Sequence, residues 1–209
     1  RPQPDELIAM SDFLANEFDT NHGVRPLNII PIGLDSRLFS NSGSNRDIDV
    51  LGVGSLIPLK QYDVFIEIIN RLSSNFSSLR SIICGKGIEE QRLRSQIEVF
   101  QIQHLISLAG EQPHPEVINL MQRTKIFLHP SKYEGFSTAC LEALYAGAHV
   151  ISFCYPMNHK IPHWHIVKTK EEMLQKTFLL LNQDLLNHDP VNVYPIQETT
   201  RQVLSLFLH

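Results

Sequence analysis

The sequence is poor in cysteine, in positive charge and in long apolar stretches. Its three cysteines, Cys84, Cys140 and Cys154, lack the spacing of metal ligands, and each falls in or beside a predicted core element. We therefore expect buried free thiols, and a catalytic thiolate at Cys140 is the weaker alternative. No apolar run is long enough to span a bilayer. The net charge of −4 disfavours a nucleic-acid surface, so any phosphate must be bound by local groups.

The amino terminus also lacks two familiar features. Residues 1–5 contain neither an initiator methionine nor an apolar signal core. We expect a piece of a longer cytoplasmic protein, with a peripheral position at the inner membrane as an option for the full-length form. A length of 209 residues and a hydrophobic content of 43% suit one globular domain with a short appendage.

The most informative stretch runs from Phe127 to Phe153. Its pattern predicts a buried strand over 125–129, a polar loop, a helix from about Ser137 to Gly147, and a second buried strand over 149–153. The loop and the helix start therefore lie at the carboxyl end of a strand. In open α/β sheets, ligands bind at that edge.

Two carboxylates flank the start of this predicted helix, Glu134 in the loop and Glu142 inside the helix. Ser137 is a good N-cap, and the free backbone N–H groups behind it, beginning with Thr138, form a natural anion site. Gly135 would let a backbone approach a ligand closely. The alternative is two ordinary surface glutamates, because acidic residues near a helix start are common for dipole reasons alone.

These residues resemble the nucleotide-sugar signature of retaining GT-B glycosyltransferases of family four, the glycogen-synthase and lipopolysaccharide or mannosyltransferase type. The matching residues are Glu134-Gly135-Phe136, then Glu142 after seven intervening residues, Ala143-Leu144 and Ala146-Gly147. The resemblance implies that Glu134 contacts the donor sugar's hydroxyls and that Glu142 holds the ribose, while backbone amides between them bind sugar and diphosphate. It implies a nucleotide diphosphate sugar as donor, no metal or other cofactor, and transfer with retention of configuration.

A second resemblance concerns the segment 28–35, which reads NIIPIGLD. Gly33 and Asp35 match the family's crossover between its two domains, although Ile32 stands where the family usually has Asn. The resemblance implies that residues 1–45 are the tail of an acceptor-binding domain with its linker. The segment 40–45, SNSGSN, has the composition of a flexible linker. Residues 46–209 would then form the nucleotide-sugar-binding domain. The acceptor, a saccharide or lipid-linked glycan, would be held by the missing domain.

Strands and helices alternate along the rest of the chain. This order, with short loops and nearly all-apolar strands, predicts the α/β class, a Rossmann-like parallel sheet with helices on both faces. Further strands are predicted over 7–10, 28–34, 47–55, 79–84, 105–109 and 165–167. Helices are predicted from Ser11-Asp12 to a close at His22-Gly23, over 63–72, 89–100 and 115–123, from Thr169 onward, and over 197–208.

The turn after the first predicted strand is the next candidate for donor binding. Gly52-Val53-Gly54-Ser55 is a weak dinucleotide pattern, because the third glycine is absent. Relatives place Gly-Arg-Leu at this turn and a lysine five residues after the arginine, and here Gly54-Ser55-Leu56 is followed by Lys60. The resemblance implies that Lys60 balances the diphosphate, and a solvated lysine is the alternative. Ser55 in place of arginine removes a bidentate phosphate donor.

Two further glycine turns follow the next strands. Gly85-Lys86-Gly87 matches the glycine pair that walls the nucleotide site in relatives, and a plain strand-to-helix turn explains it equally well. Gly110-Glu111-Gln112 follows the third strand, where relatives seat the base. We expect these side chains to take part in the choice of base.

Other hypotheses are weaker. His159, His163 and His165 lie close together, but Pro162 interrupts any helix, so a metal site is disfavoured. Relatives carry a Gly-Gly-x-x-Glu loop where this chain has the residues 155–159, so the identity of the sugar does not carry over. A degenerate, non-catalytic partner subunit is the main alternative function. An NAD-dependent sugar-nucleotide enzyme lacks its fingerprint and its Tyr-x-x-x-Lys motif.

Overall fold

A six-stranded, wholly parallel sheet forms the centre of the molecule. The computed structural model describes residues 2–39, 45–183 and 185–208, so most of the predicted linker over 40–45 lies outside the described residues. The strands are β3 (Ile48–Val53), β4 (Ser81–Cys84), β5 (Ile106–Gly110), β6 (Thr124–His129), β7 (His149–Ser152) and β8 (Trp164–Ile166). Their order across the sheet is β5-β4-β3-β6-β7-β8. The predicted α/β class and parallel sheet are confirmed.

Helices cover both faces of this sheet, as predicted. One apolar core joins the sheet to α2 (Tyr62–Leu72), α3 (Glu90–Val99) and α6 (Lys170–Leu181), and the other joins it to α4 (His114–Gln122) and α5 (Thr138–Tyr145). Side chains alternate along β6, so Ile126 and Leu128 enter the first core and Phe127 enters the second. Burying each such side chain stabilises the fold by about 1.5–3 kcal/mol.

The amino-terminal segment forms a small unit of its own. β1 (Ile8–Ala9) and β2 (Asn28–Ile29) pair in parallel, and α1 (Asp12–His22) lies between them in the chain, ending at the left-handed residue Gly23 as predicted. The strand predicted over 28–34 is too long. It stops at Ile29 because Pro31 has no N–H to donate to a ladder.

The segment after β2 packs on the last helix instead. That helix, α7, spans Ile196–Ser205, and Thr199 Oγ1 donates to the carbonyl oxygen of Pro31 over 2.9 Å. A Cβ on Gly33 would lie 2.6 Å from the Cα of Ile196, so only glycine permits this approach. The carboxyl-terminal helix therefore returns to the amino-terminal segment, and the predicted domain boundary at residue 45 stays a prediction. None of the helices among the described residues could cross a membrane.

The parallel order places the carboxyl ends of all six strands at one edge, here called the donor edge. Gly54 follows β3, Gly85 follows β4, and Gly110 ends β5 at this edge. His129 ends β6 and pairs in register with Ser152 at the end of β7. The turns and loops that the sequence analysis associated with the sugar donor therefore lie along a single edge of the sheet, where ligands bind in such folds.

Candidate donor site

Lys60 and Glu134 meet at the donor edge although 74 residues separate them in the sequence. Lys60 ends a short 3-10 turn, Pro58–Lys60, which follows β3, and Glu134 lies in the loop between β6 and α5. Lys60 Nζ contacts Oε1 of Glu134, and both side chains are largely buried. Lys60 is therefore not the solvated lysine of the alternative interpretation.

His129 completes this cluster, and the sequence analysis missed it. Its Nε2 lies 3.0 Å from Oε1 of Glu134, and only 4% of its side chain is exposed. The ring stacks on Phe127, with 6.1 Å between centroids. A usable signal was present, because a polar residue ends an otherwise apolar strand at the ligand-binding edge.

The charge state of Glu134 follows from these neighbours. Burial raises the pKa of its carboxyl group, but hydrogen bonds from His129 and Lys60, together with their charges, outweigh burial and lower the pKa to about 2. Glu134 is therefore ionised at every physiological pH. An ionised carboxylate only accepts hydrogen bonds, so Glu134 can bind hydroxyl groups but cannot serve as a general acid.

The helix start at Ser137 lies where the sequence predicted it, and anion binding there stays a prediction. Ser137 is the N-cap, and its Oγ accepts a hydrogen bond of 3.3 Å from the N–H of Cys140. The first-turn N–H groups of Thr138 and Ala139 have no partner within the helix, because a helix leaves its first four donors unpaired. Phe136 precedes this turn and contacts Tyr194 edge-on, with 5.8 Å between ring centroids.

Glu142 lies on α5 and is held by a residue that the sequence analysis did not single out. Its Oε1 is 2.7 Å from Nε2 of His114, the first residue of α4. Glu142 is buried, with 8% of the residue exposed, whereas half of the His114 side chain is exposed. Glu142 is therefore not an ordinary surface glutamate. Its orientation is fixed by a neighbouring helix.

The glycine turns after β3 and β4 pack directly on each other. A Cβ on Gly85 would overlap the carbonyl oxygen of Gly54, and one on Gly87 would overlap that of Leu56. Gly85 also has a φ of +145°, which disfavours any residue with a Cβ. Close packing of two turns therefore explains both glycines, and a contact with a nucleotide stays a prediction.

A cavity of about 290 Å³ lies between these turns. Lys86 and Glu111 form an exposed ion pair beside it, and Gln112 Nε2 donates to the carbonyl oxygen of Ala109 over 2.6 Å. The structure thus brings together the turn containing Ser55 and the residues expected to influence the choice of base. The full lining is Val53, Gly54, Ser55, Cys84, Gly85, Lys86, Glu111, Gln112 and Val117.

The first turn of α1 packs on the loop that carries Glu134. Ser11, the N-cap of α1, is fully buried and donates its hydroxyl to the carbonyl oxygen of Gly135 over 2.6 Å. A Cβ on Gly135 would lie 2.8 Å from a methyl group of Leu14. Leu14 therefore fills the space where a Cβ of residue 135 would lie, and an approach of the Gly135 backbone to a ligand stays a prediction. Phe13 adds an edge-on contact with Tyr133, at 5.2 Å between centroids.

A second cavity, of about 320 Å³, opens beside Glu134. Four aromatic side chains contribute to its walls, and two asparagines and a lysine add polar groups. Its lining comes from α1, the Glu134 loop and the segment after β7: Phe13, Asn16, Lys132, Tyr133, Glu134, Phe153, Cys154, Tyr155 and Asn158. Aromatic faces mixed with a few polar groups are typical of small-molecule sites.

The histidines of the segment 159–165 do not gather at the donor edge. His163 and His165 stack instead on His149 at the start of β7, with centroid separations of 4.4 and 5.4 Å. Among the described residues, no set of three or more histidine, cysteine, aspartate or glutamate side chains is arranged to hold a metal ion.

The three cysteines are buried free thiols, as predicted. Burial raises the pKa of Cys84 to about 11 and that of Cys154 to about 12, and it also raises the pKa of Cys140. A thiol with a raised pKa is a poor nucleophile. The structure therefore provides no support for a catalytic thiolate at Cys140.

Comparison with known proteins agrees with this geometry. The model of the family described as "Glycosyl transferases group 1" matches residues 36–164. The phosphatidylinositol N-acetylglucosaminyltransferase gpi3 subunit of Schizosaccharomyces pombe is 26% identical over 185 residues, which covers 86% of this chain and 40% of that protein. The chain thus spans less than half the length of this relative.

Solved structures show the same fold. TarM of S. aureus, crystallised as a mutant with Fondaparinux, alpha-GlcNAc-glycerol and UDP, superimposes with a TM-score of 0.83 at 16% identity. The match covers 97% of this chain and 43% of TarM. HepE of Anabaena, crystallised with UDP and glucose, superimposes with a TM-score of 0.77 at 16% identity, covering 96% of this chain and 62% of that one.

Proposed function

Since this chain belongs to the group 1 family of glycosyl transferases, we propose that it is the donor-binding half of a retaining GT-B enzyme. The enzyme transfers a sugar from a nucleotide diphosphate sugar to a saccharide or lipid-linked acceptor. The observation that carries the proposal is the contact between Lys60 and Glu134 beside the helix start at Ser137. A cation, a carboxylate and free amides at one edge suit a sugar joined to a diphosphate.

Each carboxylate has a distinct role in this proposal. Glu142, oriented by His114, accepts hydrogen bonds from the ribose hydroxyls of the donor. Glu134 stays ionised and accepts hydrogen bonds from the hydroxyls of the transferred sugar. In both roles the carboxylate must be held in one orientation to accept these hydrogen bonds. The contact of Glu142 with His114, and those of Glu134 with His129 and Lys60, supply that constraint.

The diphosphate is neutralised by groups of the chain itself. Lys60 supplies one positive charge, and the N–H groups of Thr138 and Ala139 supply the positive end of the α5 dipole. Together they stabilise the charge that develops on the departing nucleotide, so no metal ion is required in this scheme. Ser55 cannot add the bidentate contact that an arginine would make.

Uridine diphosphate is the nucleotide we propose, and N-acetylglucosamine is the first sugar to test. Both structural neighbours described above were crystallised with UDP. The S. pombe relative is an N-acetylglucosaminyltransferase subunit, and the TarM crystal contains alpha-GlcNAc-glycerol. The cavity of about 290 Å³ beside Ser55 would receive the base.

Calorimetric titration with UDP, GDP and ADP tests this proposal. We expect saturable binding of UDP, lost in Glu142→Ala and retained in the control variant Glu171→Ala. Glu171 also lies on a helix, α6, but it pairs on the surface with Arg71. The chain alone should bind UDP weakly and transfer no sugar. Turnover by the chain alone, or no binding of any nucleotide by a folded sample, would contradict the proposal.

A non-catalytic partner subunit is the second candidate. Ser55 in the phosphate-facing turn favours it, and the S. pombe relative carries the word subunit in its name. The variant Ser55→Arg separates the two functions. A large gain in UDP affinity would favour a degenerate partner that has lost its guanidinium, whereas an unchanged affinity would favour a site that works without it.

A further inference from the structure

The two oxygens of Glu134 are used differently. Within the described residues, Lys60 and His129 both contact Oε1, and neither contacts Oε2. One oxygen is therefore committed to the protein, while the other is left for a different partner. Glu134 also lines the cavity of about 320 Å³ that opens beside its loop.

The two groups that hold Oε1 differ in rigidity. His129 is the last residue of β6, which lies between β3 and β7 in the middle of the sheet, and its ring stacks on Phe127. Lys60 lies on a turn outside the sheet, and its ammonium group is carried by a flexible four-carbon side chain. The histidine is therefore the fixed anchor of the pair, and the lysine is the part that can move.

A donor would compete for only one of these two groups. A diphosphate carries more negative charge than a carboxylate, so it draws the ammonium group of Lys60 toward itself and weakens the contact with Glu134. The imidazole of His129 is fixed at the end of a strand and cannot move toward the diphosphate in the same way. Once the diphosphate is bound, His129 is thus left as the main contact of Oε1.

We infer that His129 is a positioning residue for Glu134. Its Nε2–H holds Oε1, so that Oε2 stays directed at the hydroxyls of the donor sugar after the diphosphate has recruited Lys60. The inference rests on the proposed function, because it assigns a sugar to the site beside Glu134. Since the ionised carboxylate only accepts, the proton of this hydrogen bond lies on Nε2.

A purely structural role for His129 predicts something different. Loss of a buried hydrogen bond would lower the stability of the chain and would affect every ligand equally. A positioning role instead affects only ligands that carry a sugar, because UDP alone makes no demand on Glu134. The ratio of the dissociation constants for UDP-sugar and UDP therefore separates the two roles.

The experiment is a calorimetric titration of the chain and three variants with UDP, UDP-N-acetylglucosamine and UDP-glucose. His129→Leu removes the donor, and His129→Gln keeps an N–H group at about the reach of Nε2. His129→Asn keeps a polar amide that ends one bond short of it. We expect the UDP affinity of all variants to stay within about twofold of the wild type. The affinity for the preferred UDP-sugar should fall about tenfold in the Leu and Asn variants and return in the Gln variant.

The outcomes are distinguishable. Equal loss of UDP and UDP-sugar affinity, or no change in their ratio in His129→Leu and His129→Asn, would overturn the positioning role. The Asn variant decides the matter if thermal denaturation shows that the Leu variant does not fold. Failure of the wild-type chain to bind any of the three ligands would instead refute the proposed function, and with it this inference.

Discussion

Buried histidines occur in two regions of this molecule with opposite surroundings. At the donor edge, His129 faces the carboxylate of Glu134, and Lys60 contacts the same oxygen. At the amino end of β7, His149 stacks with His163 and His165 and lies near His188, while Arg46 adds a positive charge. We refer to these four histidines as the histidine cluster.

The difference shows how neighbours decide the charge of a buried site. In the histidine cluster, burial, together with the charges of Arg46 near His149 and Lys176 near His165, lowers the pKa of His149 and His165 to about 4. These two histidines are therefore neutral at pH 7. At the donor edge, hydrogen bonds from His129 and Lys60 offset the burial of Glu134 and keep it charged. The two histidines are thus uncharged at neutral pH, whereas Glu134 at the donor edge retains its charge.

The largest effect is expected from Gly147→Ala, which disturbs the packing of the histidine cluster and leaves the donor edge unchanged. Gly147 has a φ of +81°, and a Cβ there would overlap the carbonyl oxygen of His188. We expect the free energy of unfolding to fall by about 3 kcal/mol, from backbone strain plus steric overlap. Gly110→Ala is the control, because its φ of +70° is similar but nothing lies within 4 Å of the added Cβ.

Chemical denaturation of both variants measures this difference. Gly110→Ala should cost about 1 kcal/mol, from strain alone. UDP affinity of the folded Gly147→Ala variant should match that of the wild type, since the donor edge is untouched. Equal destabilisation by the two substitutions would show that the contact with His188 does not constrain this turn.

The second-largest effect is expected from a substitution at the donor edge. Lys60→Ala removes the cation from Glu134 and from the expected diphosphate, so we expect UDP affinity to fall by about 2 kcal/mol, about thirtyfold. Lys125→Ala is the matched control, because Lys125 pairs with Asp49 over 2.7 Å at the other end of the strands. Calorimetry that finds the same loss in both variants would remove Lys60 from the site.

The histidine cluster and the donor edge should also respond to pH over different ranges. The pKa of His149 and His165 is lower in the folded chain, about 4, than in the unfolded chain, about 6.5, so the unfolded state binds more protons between these values. Stability should therefore fall as pH decreases from about 6.5 toward 4, by about 2 kcal/mol in all after allowance for partial solvent screening.

Denaturant unfolding at several pH values measures the slope of the free energy of unfolding against pH. His165→Gln should flatten it, because one of the two titrating groups is gone. Glu134 changes stability in the same direction as the histidines, but over a lower range of pH. Its folded pKa of about 2 lies below the unfolded value near 4.5, so its contribution is complete above pH 4.5 and is lost only as pH falls toward 2. An unchanged slope in His165→Gln would contradict the assignment to the cluster.

The smallest effect concerns the contact of α1 with the donor loop. Ser11 and Thr169 are both N-caps, accepting hydrogen bonds of 3.1 Å from Leu14 and Glu172, but only Ser11 also donates to Gly135. Each change to alanine should cost about 1 kcal/mol of stability. Only Ser11→Ala should also weaken UDP-sugar binding, by about threefold, because the Glu134 loop loses an anchor. Titration showing equal binding in both variants would contradict this coupling.

Local signals made much of the fold predictable. Apolar runs, glycine turns and caps such as Ser137 and Thr169 depend on residues within four positions of each other, so the order of strands and helices could be predicted. The bounds of the elements were harder to predict. The strand predicted over 28–34 ends at Ile29 because Pro31 cannot donate to a ladder, and the segment that follows packs on α7, which is remote in sequence.

The fold class, the family and the presence of Lys60, Glu134 and Glu142 at one edge of a parallel sheet could all be predicted from the order of residues along the chain. The contacts that hold these side chains depend on how the chain folds in three dimensions. His129 and His114 meet their carboxylates, and Ser11 meets Gly135, across separations of 5, 28 and 124 residues. The physical reason is that a hydrogen bond depends on distance in space. Residues that are far apart in the chain, or that sit on a strand and a loop, give no periodic signal when they meet.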